Sequence, residues 1–211
     1  MLKYDKETWD SYYYQIKEIL QLEPRHVLEV GCGTKTVSTY LNHQGIQVET
    51  ADFDKRLKPD HLIDVKYLSK KFKDDSFDVI LCAEVLEHLP FKYFDKSLME
   101  LAKVTRDKLI LTLPYHAIKF RVSFKASLSK EKVFKFSLPF PSKHKFDGQH
   151  HWEIGYKGYS RRKIRNIISN HFYIIREYLV PEHQDHRVYV LQKYSKSDNK
   201  DHLGFLRCPI Y

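Results

Sequence analysis

Cysteine is scarce in this chain. Its three cysteines, Cys32, Cys82 and Cys208, are odd in number and share no C-x-x-C spacing, so neither a disulfide framework nor a cysteine-built zinc site is expected, and a reducing cytoplasm fits. Cys32 and Cys82 fall at the ends of neighbouring expected strands, where a thiol serves as a small buried filler. Long apolar runs are lacking too: none approaches the ~18 residues of a membrane span. The opening MLKYDKETWD carries charges where a signal peptide needs an apolar core. A soluble, cytoplasmic protein is therefore expected, and no internal repeat is visible. What the chain does have is 211 residues, 42% hydrophobic and 14% aromatic, enough material for one full core. We expect a single domain over 1–194 and a C-terminal tail over 195–211. The net charge of +9 implies affinity for something anionic, although such a balance serves solubility as readily.

The most informative stretch runs from His26 to Asp54, HVLEVGCGTKTVSTYLNHQGIQVETADFD. An apolar strand, V-L-E-V, enters Gly31-Cys32-Gly33, a helical segment follows, and a second strand ends on Asp52. Glycines at a strand-to-helix turn tolerate positive φ and leave backbone N–H groups bare at a helix N-terminus, where a ligand can lie. An acid at the tip of the next strand can accept hydrogen bonds from ribose hydroxyls. A dinucleotide-binding turn would place a third glycine where Thr36 stands, so hydride chemistry is disfavoured.

This segment resembles motif I of the class I S-adenosylmethionine-dependent methyltransferases of the type 11 kind, an acid followed by G-x-G, here Glu29-Val30-Gly31-Cys32-Gly33. The resemblance continues in register through Asp52, through Ile63-Asp64-Val65, and through Ser76–Leu89, SFDVILCAEVLEHL, covering residues 26 to 115. It implies an α/β, Rossmann-like, doubly wound sheet of seven strands in the order 3-2-1-4-5-7-6, the last antiparallel, with helices on both faces. It also implies S-adenosylmethionine as cofactor. Gly31, Cys32 and Gly33 would pass under the methionine portion and Glu29 would orient its amino group. Asp52 would hold the ribose, Asp64 and Val65 would face the adenine, and Phe53, Ala83 and Glu84 would be further cofactor-binding residues. Many relatives carry a glycine where this chain has Lys35, which is either a solvated helix residue or an ammonium aimed at the cofactor carboxylate or an anionic substrate.

Periodicity places a helix over 6–22, with Trp9, Tyr12, Tyr13, Ile16, Ile19 and Leu20 at helical spacing, either a cofactor lid or a cap on the sheet. Strands are expected at 27–31, 47–51, 61–63, 77–82, 108–113, 172–180 and 187–193, and helices at 35–43, 91–104 and from the Ser160 N-cap to about His171. Residues 116–155 read as a basic and aromatic insertion. From His116 to about Gly148 it holds Lys119, Arg121, Lys125, Lys130, Lys132, Lys135, Lys143 and Lys145 against Glu131 and Asp147, and it is too long for a plain connection, so a cap over the substrate is expected. Phe205, Leu206 and Ile210 in the tail could dock on the body or on a partner.

Beyond the cofactor motifs, Asp147-Gly148-Gln149-His150-His151-Trp152-Glu153-Ile154-Gly155 supplies imidazoles, a stacking surface and a carboxylate. His151 or His150 is expected as base or substrate ligand, with Trp152 and Glu153 beside the substrate; a packing role for Trp152 and a satisfied contact for either histidine are the alternatives. His88, Tyr115 and His116 are further pocket candidates. Glu84 and His88, four apart, could equally form a helical i,i+4 pair. No H-E-x-x-H spacing unites the histidines, so no metal is expected. The resulting expectation is methyl transfer to an oxygen or nitrogen of a small polar, possibly anionic metabolite. An RNA or protein acceptor is the alternative that the basic insertion favours, although no N/D-P-P-Y-type sequence follows the fourth strand. A non-catalytic cofactor-binding protein is the third. Oligomeric state is left open.

Overall fold

The computed structural model describes residues 6–124, 132–138, 140 and 142–195. In chain order it runs through α1 (Lys6–Leu20), β1 (His26–Val30), α2 (Thr36–His43), β2 (Gln47–Asp52), β3 (His61–Leu62), β4 (Phe77–Ala83) and α3 (Phe94–Val104). It continues through β5 (Thr105–Pro114), β6 (Ile118–Phe124), β7 (Lys132–Leu138), α4 (Arg161–Ile168), β8 (Phe172–Leu179) and β9 (His186–Lys193). Seven strands form one sheet in the order β3-β2-β1-β4-β5-β9-β8. Only β9 runs antiparallel to its neighbours β5 and β8. This is the expected Rossmann-like sheet; the last two numerals read 9 and 8 because β6 and β7 intervene in the chain and pair with each other in a separate two-stranded sheet.

Alternation along the strands sends successive side chains to opposite faces. On one face Leu28, Val30, Ile80, Cys82, Leu109 and Leu111 pack under Phe94, Leu98 and Leu101 of α3 and Ile164 and Ile168 of α4. On the other, Val27, Val79, Leu81, Ile110 and Val190 pack under Ile19 of α1 and Val37 and Leu41 of α2. Covering both faces explains why β1 and β4 read as nearly continuous apolar runs. The Ser160 side chain accepts the Lys163 N–H at 3.2 Å and caps α4, as its position predicts. The expected helix from 91 opens as a 3-10 turn, Phe91–Tyr93, and becomes α-helical from Phe94.

The insertion is more ordered at its return than its composition suggests. Ile154 forms a parallel bridge with Tyr115, its N–H donating to Pro114 O at 3.1 Å while His116 N–H donates to Ile154 O at 2.7 Å. Trp152 is fully buried, stands edge-on to Phe91 and Phe94, and donates its indole N–H to Leu89 O at 3.1 Å. The expectation of Trp152 as a substrate-stacking surface is therefore corrected: it is a core plug that nails the return of the loop to α3. Gly155 has φ +103°, and a Cβ there would lie 2.1 Å from the His116 carbonyl oxygen, so the close approach needs glycine. Lys125, Lys130, Glu131, Cys208, Phe205, Leu206 and Ile210, for which the sequence raised expectations, lie outside the described residues.

Candidate active site

The carboxyl ends of β1, β2 and β4 gather the motif residues. Gly31 has φ +80°, and a Cβ on it would meet Val85 Cγ2 at 2.2 Å; Gly33, with φ +42°, would meet nothing within 4 Å. The first glycine thus lets the β1 turn touch the segment after β4, and the second leaves bare backbone toward open space. Lys35 takes the left-handed conformation, φ 59°, at the N-cap of α2, a backbone that glycine adopts without steric cost. Its ammonium donates to Lys58 O at 2.5 Å, so the side chain ties the α2 start to the loop after β2.

Asp52, at the tip of β2 and only 7% exposed, accepts Cys32 N–H on Oδ2 at 3.1 Å and Asp54 N–H on Oδ1 at 2.8 Å. Phe53 beside it is 71% exposed. Asp64 caps the 3-10 turn after β3 by accepting Lys66 N–H at 2.9 Å, and Val65 is buried in the core. Glu29 is buried. Burial pushes its carboxyl up to about 7, against hydrogen bonds from Ser38 and the nearby Lys35 charge, and its Oε2 has no hydrogen-bond partner. A cavity of about 250 Å³ opens here, bounded by Glu29, Gly31, Cys32, Gly33, Ala83 and Glu84, with Ser11, Gln15 and His186 opposite. Polar residues of α1 thus line it, in keeping with a lid. A larger groove of about 540 Å³ along the outer side of α1, between Trp9, Tyr13, Ile16 and Tyr40, contains no acid and has none of this chemistry. The Cys32 thiol, pushed by burial and by Asp52 up to about 11, stays protonated as a filler should.

A second constellation adjoins the first. Glu84, with φ 52°, donates its backbone N–H to Thr112 O and Oγ1 at 3.2 and 3.1 Å. Burial raises its carboxyl to about 7, with Thr112, His150, His183 and His88 opposing, and its Oε2 lies 3.4 Å from His186 Nε2. Glu87 is fully buried, neither carboxylate oxygen has a hydrogen-bond partner, and burial with the Glu84 charge holds it well above the ordinary range. His88 places Nδ1 3.1 Å from Gln149 O and Nε2 3.8 Å from Glu87 Oε1. The helical pair of Glu84 with His88 does not form, because a 3-10 turn, Leu86–His88, follows the left-handed Glu84.

His150 and His151 part company. His150 is part-buried, its Nδ1 2.8 Å from Glu153 Oε1, a hydrogen bond that raises its pKa, and its ring stands 5.0 Å from that of His88. The exposed His151 ring stacks on Phe146 at 4.7 Å, and only its backbone N–H engages the cluster, donating to Glu87 O at 2.8 Å. Neither bounds the cavity. Tyr115 is 7% exposed, its ring under the Arg187 guanidinium at 4.4 Å, so its expected substrate contact is corrected to a packing role. His116 stacks on Tyr156 at 4.0 Å. Glu87 is a site residue that the sequence does not single out, although the spacing E-x-x-E-H is legible; nothing in a sequence tells that both its oxygens face the interior.

Residues 28–111 match a family described as a methyltransferase domain. The sheet order and the glycine turn are those of the class I S-adenosylmethionine-dependent methyltransferase fold. Solved structures similar to this chain include the PH0226 protein of Pyrococcus horikoshii OT3, 14% identical over 88% of this chain and 91% of the other, with TM-score 0.57. The 1,6-didemethyltoxoflavin-N1-methyltransferase of Burkholderia thailandensis is 15% identical over 89% and 80% of the two chains, TM-score 0.59. Magnesium protoporphyrin IX methyltransferase of Synechocystis PCC 6803 is 17% identical over 89% and 84%, TM-score 0.59. At these identities the likeness is one of fold. No curated protein matches this chain significantly. Among its described residues no helix is long and apolar enough to cross a membrane.

Proposed function

We propose that the protein transfers the methyl group of S-adenosylmethionine to an oxygen or nitrogen of a small polar molecule. The observation that carries this reading is the cavity at the carboxyl ends of β1 and β4, into which the bare Gly33 backbone and the buried acid Glu29 both open. The residues fit the cofactor. Glu29 Oε2 has no partner within the protein and suits an ammonium. Each Asp52 oxygen accepts a single N–H, leaving lone pairs for two ribose hydroxyls. The Burkholderia relative is known with S-adenosylhomocysteine and 1,6-didemethyltoxoflavin bound, and the Synechocystis enzyme with S-adenosylhomocysteine, which supports the same cofactor and a small acceptor here.

When bound, the sulfonium supplies an already activated methyl group, so alignment of the acceptor accounts for most of the rate. Glu84, bounding the cavity with a carboxyl near 7, is the group suited to take a proton from a hydroxyl or ammonium acceptor at neutral pH. Buried Trp152 and Phe94, with partly buried Phe91, anchor the return of the loop on the proposed acceptor side. The hairpin of β6 and β7 would cap the acceptor. An RNA or protein acceptor is the second reading, favoured by the exposed Phe120, Phe124, Phe136, Phe140 and Phe146 among the lysines of the insertion.

Calorimetric titration with S-adenosylmethionine and S-adenosylhomocysteine, with NADH as control, tests the cofactor. Micromolar binding of the first two alone is expected. Binding of neither would overturn the reading and leave a fold without its cofactor.

A further inference from the structure

We propose that Glu87, His88 and His150 form a binding site for a first-row divalent metal ion. One ligand atom from each lies within 4.8 Å of the others. Ligands about 2.0–2.2 Å from a shared ion stand roughly 3.0–3.6 Å apart, so small side-chain rotations close the cage.

Three independent features point to a cation. Buried carboxylates are ordinarily hydrogen-bonded, yet Glu87 is wholly inaccessible and neither oxygen has a partner; a cation is the partner its neighbours are arranged to share. Both imidazoles are also already oriented as metal ligands usually are. His88 Nδ1 faces Gln149 O at 3.1 Å and His150 Nδ1 faces Glu153 Oε1 at 2.8 Å, so Nδ1 carries the proton in each ring and Nε2 is left with its lone pair. Finally, the two halves of the site, remote in sequence, are strapped together. His151 N–H donates to Glu87 O at 2.8 Å and Trp152 Nε1–H to Leu89 O at 3.1 Å.

A rival trio, Asp147, His150 and Glu153, shares His150 but is already satisfied internally: Asp147 Oδ1 accepts the N–H groups of both Gln149 and His150 at 2.8 Å. It is a shell that positions His150 and does not need an ion. Two imidazole nitrogens and one carboxylate, without thiolate, suit Mn²⁺, Fe²⁺ or Zn²⁺ over the oxygen-seeking Ca²⁺ and the thiolate-seeking Cu⁺. Glu84 has a buried oxygen without a partner next to the cluster and can add a further ligand. His88, its side chain 40% exposed, leaves an entry path. Because Glu84 also bounds the cofactor cavity, an ion here stands where it can hold and polarise an acceptor oxygen. That last consequence rests on the methyl-transfer reading; the ion site does not.

The test uses tag-free, chelator-treated full-length protein titrated calorimetrically with Mn²⁺ and with Zn²⁺, S-adenosylhomocysteine affinity being measured on the same samples. One ion per chain is expected, with affinity falling at least tenfold in Glu87→Gln and in His150→Ala. In Glu153→Gln, whose carboxylate only positions His150, a 10- to 100-fold fall is expected, with the thermal transition retained. Absence of saturable 1:1 binding, or affinity unchanged in either Glu87→Gln or His150→Ala, would overturn the site. Protein that binds S-adenosylhomocysteine but no metal refutes this inference alone. Protein that binds metal but no S-adenosylhomocysteine refutes the cofactor reading alone.

Discussion

Asp52 does two things at once. Its oxygens accept the N–H groups of Cys32 and Asp54, holding the glycine turn against β2, and under the proposed function their remaining lone pairs would take the ribose hydroxyls. Charge-assisted hydrogen bonds contribute about 1.5–3 kcal/mol each, so Asp52→Ala should weaken S-adenosylhomocysteine binding by at least tenfold in calorimetry. Equal affinity in both proteins would remove the ribose assignment. His151 makes the opposite case: with its ring on Phe146 and only its backbone joined to Glu87, His151→Ala should leave turnover within about twofold of the parent protein. A tenfold loss would restore it as the base. Gly155 and Gly158 make a matched pair. Both have positive φ, but only at Gly155 would a Cβ strike backbone, 2.1 Å from His116 O, while at Gly158 it meets nothing within 4 Å. Gly158→Ala should cost about 1 kcal/mol of strain, and Gly155→Ala at least about 2 kcal/mol more, in denaturant unfolding.

At the scale of elements, β6 and β7 stand apart from the main sheet: they pair with each other and with no strand of that sheet, Lys119 pairs with Asp185 just before β9, and Ile118, Phe120, Val122, Phe124, Phe136 and Leu138 remain exposed. Replacing residues 118–138 with a short flexible turn should leave S-adenosylhomocysteine affinity unchanged and abolish turnover if the hairpin caps the acceptor. Retained turnover on a small acceptor would show that it serves another surface. The α1 helix differs in kind, because Ile19 is part of the core while Ser11 and Gln15 face the cavity. One element both covers the sheet and lines the cavity, so a cap on the sheet and a lid are not exclusive roles for it.

Across the whole molecule, two groups of carboxylates pull stability in opposite directions with pH. Glu29 and Glu84 have folded values raised to about 7, and Glu87 is raised well above its ordinary value, each chiefly by burial. The folded state therefore binds more protons than the unfolded one above about pH 4.5, and stability falls as pH rises toward 7. The loss is roughly 1.4 kcal/mol for each pH interval of one over which such a carboxyl holds its proton only when folded. Glu177, which burial pushes up but Arg161, Arg187 and Arg165 hold below its ordinary value, contributes stability that is present above its unfolded pKa and lost as pH falls through its lower folded one. The apo protein should be most stable in mildly acidic buffer, and Glu29→Gln should flatten the decline between pH 5 and 7 in thermal unfolding. A stability that rises over that interval would contradict the burial of these acids.

The sequence by itself determined the Rossmann-like sheet, the glycine turn at its carboxyl edge and most of its element bounds. Unbroken apolar strands, a glycine turn and an acid at the next strand tip are local patterns whose period and backbone needs are set by the residues in them. It also showed E-V-L-E-H and H-H-W-E-I-G, but not that they meet. That meeting was decided by tertiary structure alone. Trp152 plugs the core beside Phe91 and Phe94, Gly155 lets His116 come close, and the His151 N–H binds Glu87 O. These contacts turn His150 toward Glu87 and His151 away from it. Which of two adjacent histidines faces an acid is a matter of one peptide's orientation, and that orientation is set by packing between segments far apart in the chain.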